Sequence, residues 1–526
     1  MQLLTKALAV VLMFSAGVSA SLAASPATVF EDRDWRDPAA VTRSEGVERD
    51  MGPALLLKTE FKEPVFLFDP TEDETITAIT DFQGKLYLGS CTRPSITNTG
   101  SVFTYDPKTN QWEKAFQVNE QGLIHLAVYG DRLYIPGYDA EDGGWDLGNI
   151  YIHDGDTWVE HRTVPRAIHI YGLAVYKDRI YISGDIFSEP PPGVSVEEAC
   201  EQGLPMSIYG RVMSSGDGGL TWREEYRGPR EGQDVGLMTV FDDRLVLNAH
   251  GDLVLFGGSS WERLGLNPNA LCVLDYCDAG GRLLLGTSVG LCVLDGDEFR
   301  RLDAFSGEQW IHVRAIDRFG PRWAVVITRI FGGTFGHGPG GTGYLPLKGN
   351  EQPFSCWLEL IPDLVFRAGL LGDADACREI KEHAPVEWGT TISCEEMIVS
   401  AHVLQGRLFL GTHPEGRVLV LPVVREGTLD SAPRAIAAGG AYTLSWEAAT
   451  PPGTNCRLQV RSATTREALE KEPFVGPDGS ESSFFDASGS TVEIAEPGFV
   501  QYRVLLKTDD PALTPYVKRV ALHQGA

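Results

Sequence analysis

Four stretches of this chain repeat one phrase: ITDFQGKLYLGS (79–90), LAVYGDRLYIPG (126–137), LAVYKDRIYISG (173–184) and MTVFDDRLVLNA (238–249). Each reads as a short apolar strand, a two-residue turn, a basic residue (Lys85, Arg132, Arg179, Arg244) and a second strand. Looser copies follow as LDYCDAGGRLLLGT (274–287), RAIDRFGPRWAVVI (314–327) and SAHVLQGRLFLGT (400–412), with Arg282, Arg322 and Arg407 at the basic position. A hairpin cannot bury its own core, so such repeats must stack. Recurrence at roughly the 40–50 residue length of a blade predicts an all-β fold, a seven-bladed β-propeller over 51–428. The apolar run PVFLF (64–68) is expected to supply the outer strand of the last blade and so close the ring.

Outside the repeats, Lys6, an apolar stretch from Ala7 to Val18 and small residues to Ala23 read as a signal peptide over 1–24. The expected location is therefore secreted or periplasmic. A polar lead follows over 25–50. From 429 to 526 the pattern changes to separated alternating strands (AYTLSWEA, CRLQVRSA, FVQYRVLLK, YVKRVALH), which predicts a small β-sandwich. No later segment has the roughly 20 apolar residues of a membrane span. A formal charge of -27 argues against a nucleic-acid partner, and it weakens the case for a polyanionic substrate unless a basic pocket overrides it.

The chain has nine cysteines. Export permits disulfides, and Cys356, Cys377 and Cys394 are close enough in sequence for pairing among them. No C-x-x-C pair points to a metal. Two interruptions break the repeats: the segment from Ser188 to Gln202 with Pro190 to Pro192, and a Gly-rich run (332–343) with an expected helical insert around Leu358 to His383. The Gly-rich run lacks a Lys-Ser/Thr ending, so it is not a phosphate loop.

In SGDGGLTW (215–222), Ser215, Asp217, Gly219, Thr221 and Trp222 resemble the Asp-box, or BNR repeat. The resemblance is to the sialidase-like or kelch-like β-propeller superfamily, without a specific family. In sialidase-like propellers the box is structural and lies away from the site, so it implies fold rather than chemistry. Sialidase activity itself is not expected, because that family's arginine triad and Tyr/Glu nucleophile pair cannot be placed on these blades. The tail resembles the immunoglobulin-like or jelly-roll modules of exported bacterial glycan-processing proteins.

Aligning the copies on the basic residue sorts polar residues by face. The sixth residue after it is Cys91, Tyr138, Asp185, His250, Ser288, Thr328 and His413; the tenth before it is Thr75, Gly122, His169, Asp234, Cys272, His312 and Met397. Both rings fall at the end of the blades opposite the hairpin turns, where loops converge. His169, Asp185, His250 and Tyr138 are the candidate catalytic groups, with imidazole and phenol as acid or base and a carboxylate to orient them. Asp139 and Trp145 of the loop YDAEDGGWDLGN (138–149), with Arg329 and Asp234, are candidate substrate contacts, since carboxylates beside an aromatic ring suit a sugar. His250, His312 and His413 offer imidazoles to a divalent metal ion, although no cofactor is required. A water-filled polar channel and an acidic solvated loop are the plainer readings of the same residues. The expected function is an exported glycoside hydrolase or polysaccharide lyase acting on an extracellular glycan. The alternative is a non-catalytic propeller scaffold that binds a glycan or protein partner.

Overall fold

The computed structural model describes residues 27–51, 54–70, 75–91, 100–140, 148–162, 166–231, 235–249, 251–264, 272–302, 311–330, 354–363, 366 and 390–524. The expected signal peptide and the Gly-rich run lie outside them. The described residues are almost all β. Each repeated phrase is the inner hairpin of a four-stranded antiparallel unit. In chain order these are sheet I (Thr75–Phe82, Lys85–Cys91, Ser101–Asp106, Gln111–Gln117) and sheet II (Ala127–Tyr129, Arg132–Pro136, Asn149–His153, Trp158–Arg162). Sheet III holds Ala167–Tyr176, Arg179–Phe187, Ile208–Ser215 and Arg223–Glu231, and sheet IV holds Val235–Phe241, Arg244–Ala249, Asp252–Phe256 and Trp261–Leu264. Sheet V comprises Val273–Asp278, Leu283–Thr287, Gly290–Asp295 and Glu298–Arg301, and sheet VI comprises Ile311–Phe319, Arg322–Ile330, Phe354–Pro362 and Thr390–Cys394. The closing sheet takes Met397–Leu404, Arg407–His413 and Val418–Val420 from one end of the sequence and Val65–Phe68 from the other. The helix expected from Leu358 is instead strand as far as Pro362, because Leu358 and Leu360 alternate into the core between sheet VI and the closing sheet.

The alternation of side chains explains the stacking. Leu86 and Leu88 pack toward the closing sheet, while Tyr87 between them packs toward sheet II. Leu245 and Leu247 face sheet III, and Val246 faces sheet V. Leu408 and Leu410 face sheet VI, and Phe409 faces sheet I. Both faces of these strands are therefore buried, each against a different neighbour, and the series returns to its start. This is the arrangement of a β-propeller. The turns match: Gln83-Gly84, Lys177-Asp178, Asp242-Asp243 and Gln405-Gly406 all have positive φ at both positions, as a type I′ hairpin requires.

At Arg244 the repeated basic residue, and at Trp158 the tryptophan that opens the outermost strand, tie neighbouring sheets together. Arg244 reaches Asp297 and the Gly296 carbonyl of sheet V. Trp158 stacks on His153 of its own sheet and on Phe116 of sheet I, with centroids 4.2 and 4.7 Å apart. Trp222 belongs to the Asp-box. There the Asp217 carboxylate accepts the amides of Thr221 (2.9 Å) and Leu220 (3.1 Å), Ser215 Oγ accepts the Gly219 amide, and Trp222 Nε1 donates to Gly219 O. These bonds stay within the turn, so the box is a structural device here.

Two further sheets involve both ends of the described chain. Thr28–Asp32 pairs with Tyr516–Gln524 beside Gly440–Ala449 and Ser490–Ile494. Val41–Glu45 pairs with Glu426–Ser431, which continues to Gly498–Thr508, Thr454–Ala463 and Arg434–Ile436. Between them lies a core that includes Trp35, Leu55 and Leu57 as well as Tyr442, Leu458 and Val504. Asp32 fixes the lead inside it by accepting from Tyr502 Oη (2.8 Å) and pairing with Arg434 (2.7 Å).

Arg407 anchors this part to the propeller. Buried, it donates through Nη2 to Leu421 O (2.8 Å) and Ala512 O (3.3 Å), and burial lowers its pKa from the ordinary value. Arg407→Ala leaves two carbonyls without their charged donor, and a loss of about 3 kcal/mol is expected in urea unfolding.

Where the innermost strands converge, His402 lies between Asp81 of sheet I (2.9 Å) and Asp317 of sheet VI (3.4 Å). Asp317 also accepts the Val403 amide, and Asp275 of sheet V accepts the Ile316 amide. Burial works to lower the His402 pKa, but the Asp81 hydrogen bond and the charges of Asp317 and Asp275 outweigh it and raise the pKa. Burial pushes Asp275 up to about 7 and raises Asp317. All three contribute stability that is present below their unfolded pKa values and lost as pH rises through the folded ones. Asp81, lowered by its His402 hydrogen bond, contributes stability above the ordinary carboxylate range and loses it in acid. Denaturation midpoints measured at pH 6 and pH 8.5 are expected to fall with rising pH, and by less in His402→Gln.

Candidate functional site

The two rings of polar positions read from the sequence are cross-strand partners. Thr75 pairs with Cys91, Gly122 with Tyr138, His169 with Asp185, His312 with Thr328 and Met397 with His413. Cys272 and Ser288 bond each other through Ser288 N and Cys272 O (2.9 Å). The rings are therefore one rim, formed by the ends of the inner hairpins away from their turns. Asp234, His250 and Trp145 lie outside the described residues, as does the side chain of Asp139.

Three of the candidates meet on sheet III. The short strands Glu120–Gly122 and Tyr138–Ala140 run between the inner hairpins of sheets I and III and join them into one continuous sheet. This path seats Tyr138 beside His169, with rings stacked at 4.9 Å and 16°. His169 Nδ1 is 3.3 Å from Asp185 Oδ2 and 3.0 Å from Tyr171 Oη, and Tyr171 Oη donates to the same Asp185 oxygen at 2.7 Å. With the phenol proton directed at the carboxylate, Nδ1 carries the imidazole proton and Nε2 is the basic nitrogen. Asp185 is 3% exposed, and its Oδ1 is buried with no hydrogen-bond partner among the described residues. A buried carboxylate oxygen of this kind is costly unless a donor arrives.

Glycines make the close approach. A Cβ on Gly184 would lie 2.2 Å from His169 O, and one on Gly122 would lie 2.4 Å from Cys91 Sγ. Gly184→Ala is expected to push the His169 strand away and weaken the His169–Asp185 bond. An upward movement of the Tyr171 and His169 resonances toward free-amino-acid values in side-chain NMR would report it, and unchanged resonances would count against this packing.

The remaining candidates are spread around the rim. His413 Nδ1 is 2.7 Å from Thr75 Oγ1, His312 is buried on sheet VI, and Arg329 pairs with Ile311 and Ser355. Among the described residues, no group of three His, Cys, Asp or Glu is placed to hold a metal ion. Two residues escaped the sequence reading. Tyr171 sits two positions past the ring register and has no counterpart in the other copies. Glu120, on the strand paired with Tyr138–Ala140, is 3% exposed and bonded by Tyr151 Oη (2.7 Å); burial pushes its carboxyl up to about 7 despite that bond. Two cavities among the described residues, of about 250 and 580 Å³, open at the other end, around Asp154 and Asp217 and around Lys177 and Trp261.

No family model matches the chain. Over 99 residues it is 30% identical to Kelch-like protein 36 of Rattus norvegicus, covering 18% of this chain and 16% of that protein. The match to Kelch-like protein 36 of Bos taurus is 31% over 84 residues, or 16% and 14% of the two chains. The chain thus spans about a sixth of the length of these curated relatives. Among solved structures, the extracellular domain of BT4673 from B. thetaiotaomicron gives a TM-score of 0.41 at 9% identity, covering 73% of this chain and 42% of that one. The WD40 β-propeller domain of Doa1 gives 0.39 at 10% identity, covering 69% and 97%. In its own repeated four-stranded sheets, each packed on both neighbours, and in its kelch-like stretch, the chain is a member of the β-propeller superfamily, with no specific family assigned.

Proposed function

We propose that this chain is an exported glycan-cleaving enzyme whose site is the rim cluster of His169, Asp185, Tyr171 and Tyr138. In this reading a seven-bladed propeller over 51–428 carries the site, a β-sandwich over 429–526 completed by the lead strands of 25–50 braces it, and an extracellular glycan is the partner. The observation that supports it most is the oriented imidazole: Asp185 and Tyr171 both engage Nδ1, which fixes the tautomer and directs Nε2 as a base.

The cluster pairs one base with phenols rather than two carboxylates with each other. That favours elimination over hydrolysis, since a glycosidase of the usual kind needs two facing acids. In an elimination, His169 Nε2 takes the proton beside a uronate carboxyl group, and a tyrosine hydroxyl gives a proton to the departing glycosidic oxygen. Arg329, on sheet VI and so apart from this cluster, is proposed to contact another acidic unit of the same polymer, locally offsetting the acidic surface. Asp139, Trp145, Asp234 and His250 are proposed as further site residues.

A panel of neutral and uronate-containing polysaccharides, read for reducing ends and for the unsaturated-uronate chromophore, tests the reading. Turnover is expected on a uronate polymer, with kcat falling about 10²–10⁴-fold in His169→Ala while the thermal midpoint stays near that of the wild type. Binding with no product across the panel would instead make this a recognition propeller.

A further inference from the structure

We propose that Cys356 and Cys394 are a modification site, oxidised to a cross-strand disulfide by a low-molecular-weight disulfide such as oxidised glutathione. They stand directly opposite each other on the antiparallel strands Phe354–Pro362 and Thr390–Cys394. Directly opposed residues place their side chains on one face with Cβ atoms about 4.5–5.5 Å apart, close to the spacing a disulfide spans. The pairing register sets the two thiols on neighbouring strands with no residue between them. Both are free cysteines in this structure.

The surroundings give them different parts. Cys394 is half-buried, with its thiol 3.7 Å from Ile392 O, and is the one that an oxidant in solution reaches. Cys356 lies in the core between sheet VI and the closing sheet, 4% exposed. Its sulfur accepts the Ile398 amide (3.4 Å) and the Thr328 hydroxyl (3.8 Å). The Cys394 thiol, the Ile398 amide and Thr328 hold the Cys356 thiol below its ordinary pKa against the effect of burial. Donors of this kind favour the thiolate, which is the attacking species in exchange.

Cys394, whose thiol Cys356 and burial hold above its ordinary pKa, gives up its proton as it attacks one sulfur of the small disulfide; the expelled thiolate takes that proton, and a mixed disulfide is left. Cys356 then attacks the Cys394 sulfur, expelling the second small thiolate and forming the Cys356–Cys394 bond. The two cysteine protons end on the two expelled thiols, and the small disulfide takes up the two electrons. The product staples the two outer strands of sheet VI across the segment between them. Cys456 and Cys292, each buried without a cysteine opposite on its paired strands, are expected to stay reduced.

The test uses the full chain, reduced and then incubated natively with oxidised glutathione, alkylated, unfolded and digested without reductant. One linked peptide pair containing Cys356 and Cys394 is expected. The link and an oxidation-dependent rise in thermal midpoint should both vanish in Cys394→Ser and persist in Cys377→Ser. Alkylation of both residues after oxidation, a link that maps to Cys377, or a mixed disulfide that stops at Cys394 would each overturn the proposal.

Discussion

The pairing of Val65–Phe68 with Val418–Val420 is the constraint on which the rest of this molecule depends. The second strand of each sheet buries both faces, so each sheet is stable only between two neighbours, and a row of such sheets would end in two bare faces. The early strand removes both by completing the last sheet, and Phe68 then packs with Tyr105 and Phe409 where that sheet meets sheet I. Hydrophobic burial, rather than any single polar bond, sets the circle. Only with the circle closed do His402 and its carboxylates face one another, or the inner hairpins present one rim.

The two ends of the hairpins have separate roles. At the turn end the polar groups are consumed locally: Asp217 and Asp154 satisfy amides of their own turns, Arg179 bonds Ser214 of its own sheet, and Arg244 clamps the next sheet. At the rim end the polar groups are oriented toward one another across strands, as His169, Asp185 and Tyr171 are. The same repeat thus supplies structure at one end and, in the proposed reading, chemistry at the other, because a strand's two termini differ in what surrounds them.

Much of this was legible in the sequence because the repeat acts as a ruler. The alternation in KLYLG and RLVLN, the two-residue turns and the PVFLF strand all encode local geometry that a periodic pattern preserves. Counting from the basic residue brought His169 and Asp185 together, since cross-strand register follows from turn length. What the ruler could not show was anything off its marks. Tyr171 enters the site through a register shift between Ile170 and Gly172. Glu120 arrives on a strand that belongs to no repeat, and the strand at Leu358 hides in a long interruption. The polar lead gave no periodic signal, because Thr28–Asp32 is an edge strand that packs mainly through one face.

The strands Thr28–Asp32 and Val41–Glu45 find their partners only at Tyr516–Gln524 and Glu426–Ser431. Synthesis delivers these halves at opposite times. The first strands emerge with nothing to pair with, and the closing strand at Val65 also waits for Val418. The chain therefore cannot commit to its final topology until nearly all of it has been made. Under the proposed export this delay is useful, since the long-range pairings keep the chain threadable until its late strands are free.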